Sequence, residues 1–151
     1  MISCQFEDGK PAYHGLRHVV VDNIIIKGNQ ILLIKRAPHL TNGGLWGLAG
    51  GYVGAEETME EASLRELKEE SGYTGKVLKM LKVVDNPHRK GDDLNRQNIA
   101  VVYLIEAGEK VQGLDEETTE VRWFEFDKLP SENSFAFDHY QIIEDYLKNN
   151  S

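Results

Sequence analysis

The chain has 151 residues, 40% of them hydrophobic and 28% charged, with a formal net charge of −8. That length bounds it to one domain with room for a sizeable core, and the composition is that of an ordinary globular protein. The acidic balance argues against a nucleic-acid surface, which needs Lys and Arg to neutralise phosphates, and a single cysteine, Cys4, excludes an internal disulfide and suits a reducing compartment.

The N-terminal stretch MISCQFEDGK has no basic segment followed by an apolar one, so no secretory signal is expected, and residues 1–15 read as an N-terminal arm. The most apolar run, HVVVDNIIIKGNQILLI, is broken by Asp22, Asn23, Lys27, Gly28 and Asn29, which rules it out as a membrane span. A cytoplasmic protein is expected. The same run predicts strand, turn, strand from Arg17 to Arg36, with Lys27-Gly28-Asn29-Gln30 as the turn. Residues 40–54 are glycine-rich and read as a loop with a short strand near Trp46–Leu48. A helix is expected from Glu56 to Ser71, ended by Gly72. Val77–Val84 reads as a strand, 85–97 as a long polar loop, and Ile99–Ile105 as a strand buried on both faces. A second polar loop over 107–118 leads to a strand at Glu120–Phe126. Asp138-His139-Tyr140-Gln141 has capping-box spacing and opens a last helix. These elements predict a mixed sheet with two principal helices.

The chemistry concentrates in GYVGAEETMEEASLRELKEESGY, residues 51–73. Residues 56–70 hold seven acids against Arg65 and Lys68. Glu66, Glu69 and Glu70 recur at the i, i+3 and i+4 positions of a helix, so their carboxylates share a face. Like charges there repel, and the negative end of the helix dipole worsens the conflict. A bound divalent cation reverses that sign, since Mg²⁺ takes hard oxygen ligands and bridges carboxylates to phosphates.

Gly51, five residues, Glu57, seven residues, then Arg65-Glu66-Leu67-Lys68-Glu69-Glu70-Ser71-Gly72-Tyr73 fills every charged and glycine position of the Nudix box. The chain therefore resembles the Nudix hydrolases, which cleave a nucleoside diphosphate linked to another moiety and use divalent metal. The resemblance implies a Nudix-type α/β/α sandwich with a mixed central sheet and a single domain over residues 1–151. It implies Mg²⁺ or Mn²⁺ held by Glu66, Glu69, Glu70 and the carbonyl of Gly50, with Gly50 and Gly51 letting the loop approach the metal. Arg65, which can reach Glu57 and Glu61, is expected to pair with Glu57 and brace the loop behind the ligands. Two positions depart from the usual pattern. Ala49-Gly50-Gly51 stands where relatives read proline-glycine-glycine, and the aromatic Tyr73 stands where they carry an aliphatic residue.

A hydrolase of this kind also needs an activated water. The candidate catalytic acids are Glu117, Glu120 and Glu69, with Glu117 slightly preferred. Candidate substrate contacts are Arg36, Trp46, Tyr52, His88, Arg89 and Arg96, with Asn86, Asn95 and Asn98 for sugar hydroxyls; Tyr103 is a further stacking candidate. Pro87 and the tail SFAFDHYQIIEDYLK resemble features of ADP-ribose and sugar-nucleotide pyrophosphatases. The leading expectation is hydrolysis of a nucleoside diphosphate sugar such as ADP-ribose to a nucleoside monophosphate and a sugar phosphate. The alternatives are a house-cleaning hydrolase of nucleoside triphosphates or dinucleoside polyphosphates, and a non-catalytic nucleotide-sensing module. The expected partner is a small-molecule nucleotide, neither nucleic acid nor membrane, with a homodimer as one option for assembly.

Overall fold

The computed structural model describes residues 5–11, 16–91 and 98–150. Among them, seven strands and two α-helices follow in the order β1 (His18–Lys27), β2 (Gln30–Arg36), β3 (Trp46–Gly47), β4 (Ala49–Tyr52), α1 (Met59–Ser71), β5 (Tyr73–Val84), β6 (Asn98–Lys110), β7 (Thr118–Glu125) and α2 (His139–Asn149). Two 3₁₀ turns, Phe126–Lys128 and Glu132–Ser134, join β7 to α2.

The main path of the sheet runs β3-β2-β1-β6-β5, with β4 paired to β1 and β7 to β2. β1 and β6 run parallel from His18↔Asn98 to Ile26↔Glu106, and the other pairs are antiparallel. β1 meets β2 at Ile26 and Lys27 but β4 at residues 20–23, so the sheet forks along one edge of β1. The alternation of side chains along the strands supplies two cores. Val21, Ile25, Leu32, Ile34, Val101 and Ile105 pack with Ala62 and Leu67 of α1. Ile24, Ile31, Leu33, Val102 and Leu104 pack on the other face with Ile142 and Ile143 of α2. Each such aliphatic side chain, fully buried, stabilises the fold by about 1.5–3 kcal/mol. The result is the expected α/β/α sandwich, and no helix among the described residues is long and apolar enough to cross a membrane.

Several boundaries differ from the sequence expectation. α1 begins at Met59, not Glu56, because Thr58 caps it: its hydroxyl accepts from Glu61 N while Glu61 reaches back to Thr58 N. β5 begins directly after Gly72, which closes α1 in the left-handed conformation at φ 79°. β6 runs on to Lys110 and β7 starts at Thr118, which shortens the loop expected over 107–118. The expected capping box at α2 is not made. Asp138 occupies the N-cap position without a side-chain cap, because its carboxylate instead accepts Nε of Arg89 at 2.8 Å.

Candidate active site

A cleft of about 480 Å³ opens at the forked end of the sheet, between α1, the β3–β4 segment, the loop before β7 and the start of α2. α1 presents Glu66 and Glu69 to it, while Glu70 lies beneath, 1% exposed. Glu70 is anchored by the amide of Gly50, which donates to its Oε2 at 2.8 Å. Burial pushes the Glu70 carboxyl well above its ordinary range, against the Gly50 bond and with Glu66 adding to it. Burial raises Glu66 as well, against the pull of Arg65. Gly51 makes room for this face, since a Cβ there would sit 2.4 Å from Glu66 Oε1. Gly50 is required for a different reason: its Cβ would meet the Val21 carbonyl at 2.0 Å, so it serves the β1–β4 pairing.

Arg65 joins this helix to the loop ahead of it. Its Nε and Nη2 grip both oxygens of Glu57 at 2.9 and 2.6 Å, and Nη2 also donates to the Tyr52 carbonyl. Nη1 reaches Glu66 at 2.7 Å and Glu69 at 3.0 Å. Glu57 also accepts from Gly54 N, and with Arg65 this lowers its carboxyl to about 2. Glu61, the other partner considered for Arg65, is engaged in the Thr58 cap instead.

The remaining candidates divide between the cleft and its surroundings. Glu117 lines the cleft, and its charge acts on both Glu66 and Glu70. Glu120 does not line it; it lies along β7 between Lys35 and Arg122, which take both of its oxygens. Asp115, absent from the sequence candidates, lines the cleft through a backbone bond to Glu69, and burial raises its carboxyl. Tyr52 and Arg36 line the cleft, Arg36 holding the Thr41 carbonyl and lying over the Phe137 ring. Trp46 is a core residue, packed edge-on against Phe124 at 5.1 Å, and Tyr103 belongs to the core under α1, so neither is a stacking platform. His88 is exposed and outside the cleft. Arg96 and Asn95 lie outside the described residues.

Arg89 reaches the cleft but is already committed. It holds Asp22 at 2.7 Å and Asp138 at 2.6 Å with its side chain 8% exposed, so it is a buried strut and not a waiting phosphate ligand. Burial works against the charge on Asp22, but His139 and Arg89 outweigh it and hold its carboxyl well below the ordinary range.

For a divalent cation, the chemistry of the donors fits. Glu66, Glu69 and Glu70 offer hard oxygens, and the buried pair is short of positive charge. Yet Arg65 spans Glu66 and Glu69, and among the described residues no three acids, histidines or cysteines stand close enough to form a finished metal cluster. Cation and substrate phosphates would complete the site together.

Residues 16–146 match the NUDIX domain. The chain is 41% identical over 132 residues to an ADP-ribose pyrophosphatase of Methanocaldococcus jannaschii, covering 86% of this chain and 73% of that one. It is 34% identical over 101 residues to an oxidized purine nucleoside triphosphate hydrolase of Danio rerio, covering 63% of this chain and 58% of that one. A solved structure of a bifunctional NMN adenylyltransferase/ADP ribose pyrophosphatase of Francisella tularensis, complexed with AMP and a manganese ion, superposes with a TM-score of 0.73 at 27% identity. That alignment covers 93% of this chain but 44% of the longer one.

Proposed function

The chain belongs to the Nudix family of pyrophosphohydrolases, and from that premise we propose that it cleaves the pyrophosphate of a nucleoside diphosphate sugar such as ADP-ribose. Water's oxygen bonds to one phosphorus, the bridging P–O bond breaks, and a nucleoside monophosphate and a sugar phosphate leave. The observation that carries this reading is the 41% identity to an ADP-ribose pyrophosphatase across 86% of the chain. Nudix hydrolases depend on divalent metal, and here Glu66, Glu69, Glu70 and the Gly50 carbonyl would hold Mg²⁺ or Mn²⁺. When bound, the cation neutralises the pyrophosphate oxygens and makes water a stronger nucleophile. Glu117, which lines the cleft, would take the proton of the attacking water, while Arg65 and Glu57 hold the loop and helix in one unit.

Asn98, one of the residues expected to meet sugar hydroxyls, lines the cleft. A second reading, hydrolysis of a nucleoside triphosphate, is favoured by the similarity to the Danio rerio enzyme. A panel of ADP-ribose, NDP-hexoses and nucleoside triphosphates with Mg²⁺ or Mn²⁺ decides between them. Higher kcat/KM on ADP-ribose or an NDP-hexose is expected, and a clear preference for a triphosphate would promote the second reading.

A further inference from the structure

Four polar side chains form a linked row at the wall of the cleft, Asp138–Arg89–Asp22–His139, with Asp22 and His139 buried. Asp22 lies on β1, Arg89 in the loop after β5, and Asp138 and His139 at the start of α2. Arg89 ties Asp138 to Asp22 Oδ2, and His139 Nε2 faces Asp22 Oδ1 at 3.4 Å. The other ring nitrogen, Nδ1, accepts the amide of Leu48 at 3.0 Å. Because Nδ1 accepts, the ring proton sits on Nε2, toward Asp22.

Leu48 is the single residue between β3 and β4, and its side chain is buried. Its amide lies outside the strand ladders, and a buried N–H without an acceptor is costly. Two residues on, the Gly50 amide holds Glu70. On β1, Asp22 stands opposite Gly50 in register. The imidazole thus pins one end of a three-residue segment whose other end presents Gly50 to the acidic face of α1.

We propose that His139, oriented by Asp22, is a positioning residue that fixes the Leu48–Gly50 segment and so sets the placement of Gly50 against Glu70. The role belongs to one atom, the acceptor at Nδ1, and not to the bulk of the ring. Two substitutions separate those possibilities. Asn carries an oxygen near the position of Nδ1, whereas Gln reaches toward Asp22 and leaves Leu48 N–H without its acceptor.

The experiment compares His139→Gln and His139→Asn with the parent by three readouts: kcat and KM on ADP-ribose, the Mn²⁺-induced rise in melting temperature, and hydrogen exchange of the Leu48 amide. For His139→Gln, kcat should fall about 10–100-fold, the range for groups that orient metal ligands, with KM within about threefold. Leu48 exchange should rise and the Mn²⁺ shift should shrink. His139→Asn should recover at least about tenfold of the lost kcat and restore slow exchange. Equal losses in the two variants, or a glutamine variant with fast Leu48 exchange and full kcat and Mn²⁺ response, would overturn the proposal. If the glutamine variant alone fails to fold and the asparagine variant recovers function, the acceptor is what the segment requires; if both fail to fold, His139 is a core element and the proposal falls. The inference rests on the hydrolase reading, but exchange and the Mn²⁺ titration need no substrate. A parent inert toward ADP-ribose would therefore sink only the substrate assignment.

Discussion

Gly51→Ala tests whether the acidic face of α1 is the reactive surface. The added Cβ would stand 2.4 Å from Glu66 Oε1 and 2.7 Å from Cδ. An ordinary carbon–oxygen contact is about 3.3 Å or more, so the carboxylate must retreat by about 1 Å. Gly51 has no left-handed φ, and the displaced atoms end a flexible side chain, so folding should change by less than about 1 kcal/mol. Displacement of a reacting group by about 1 Å costs on the order of 10²-fold. The expected result is a kcat on ADP-ribose lowered about a hundredfold with the melting temperature nearly unchanged. If the effect passes through Glu66, Gly51→Ala added to Glu66→Gln should cost little more than Glu66→Gln alone. A kcat within threefold of the parent, a loss that tracks unfolding, or full additivity in the double variant would refute the reasoning.

Glu70→Gln leaves an acceptor for Gly50 N–H but removes the charge; kcat should fall more than about 100-fold, and the rise in melting temperature on adding Mn²⁺ should shrink. Glu117→Gln should lower kcat with little change in KM, whereas Glu120→Gln, lying between Lys35 and Arg122, should keep kcat within about threefold of the parent. Arg89→Ala leaves Asp22 buried without its cation and should cost about 3–5 kcal/mol of stability, read as a lower denaturation midpoint, in place of the selective rise in KM expected of a phosphate ligand. Asp22 is held below its ordinary range, so its contribution is complete above the unfolded value of about 3.9 and is lost as pH falls through the folded value. The stability penalty of Asp22→Asn should accordingly be constant above about pH 4 and shrink in acid, as followed by chemical denaturation across pH.

What was legible in the sequence is what one helix carries on one face. Glu66, Glu69 and Glu70 are neighbours by helical geometry, and the alternating apolar runs of β1, β2 and β6 dictate which side chains enter each core. An acidic run looks helical throughout, which carries the expected start of α1 back to Glu56, although Thr58 and Glu61 have the capping-box spacing. The row of charges through Arg89 was not legible, since Arg89 stands 67 residues from Asp22 and 49 from Asp138. One signal was present: an aspartate inside VVVDNIII is a charge among strand-forming residues, and a buried charge requires a partner. Trp46 misled for a related reason, because an aromatic beside a glycine loop looks available until β2, running between β3 and β7, brings Phe124 against it.

The cations of the cleft explain why its chemistry must borrow positive charge. Arg89 is divided between Asp22 and Asp138, and Arg65 among Glu57, Glu66 and Glu69. Arg36 is bound to the Thr41 carbonyl and stacked on Phe137. Against them stand Glu66, Glu69, Glu70, Asp115 and Glu117 in or beneath the cleft. A pyrophosphate entering such a site meets repulsion unless a divalent cation enters with it, which makes nucleotide binding and metal binding mutually dependent. Each further phosphate adds about one or two negative charges to the same deficit, while a sugar adds none. On the proposed function, this charge arrangement among the described residues suits a diphosphate joined to a neutral, hydroxyl-rich group better than a triphosphate.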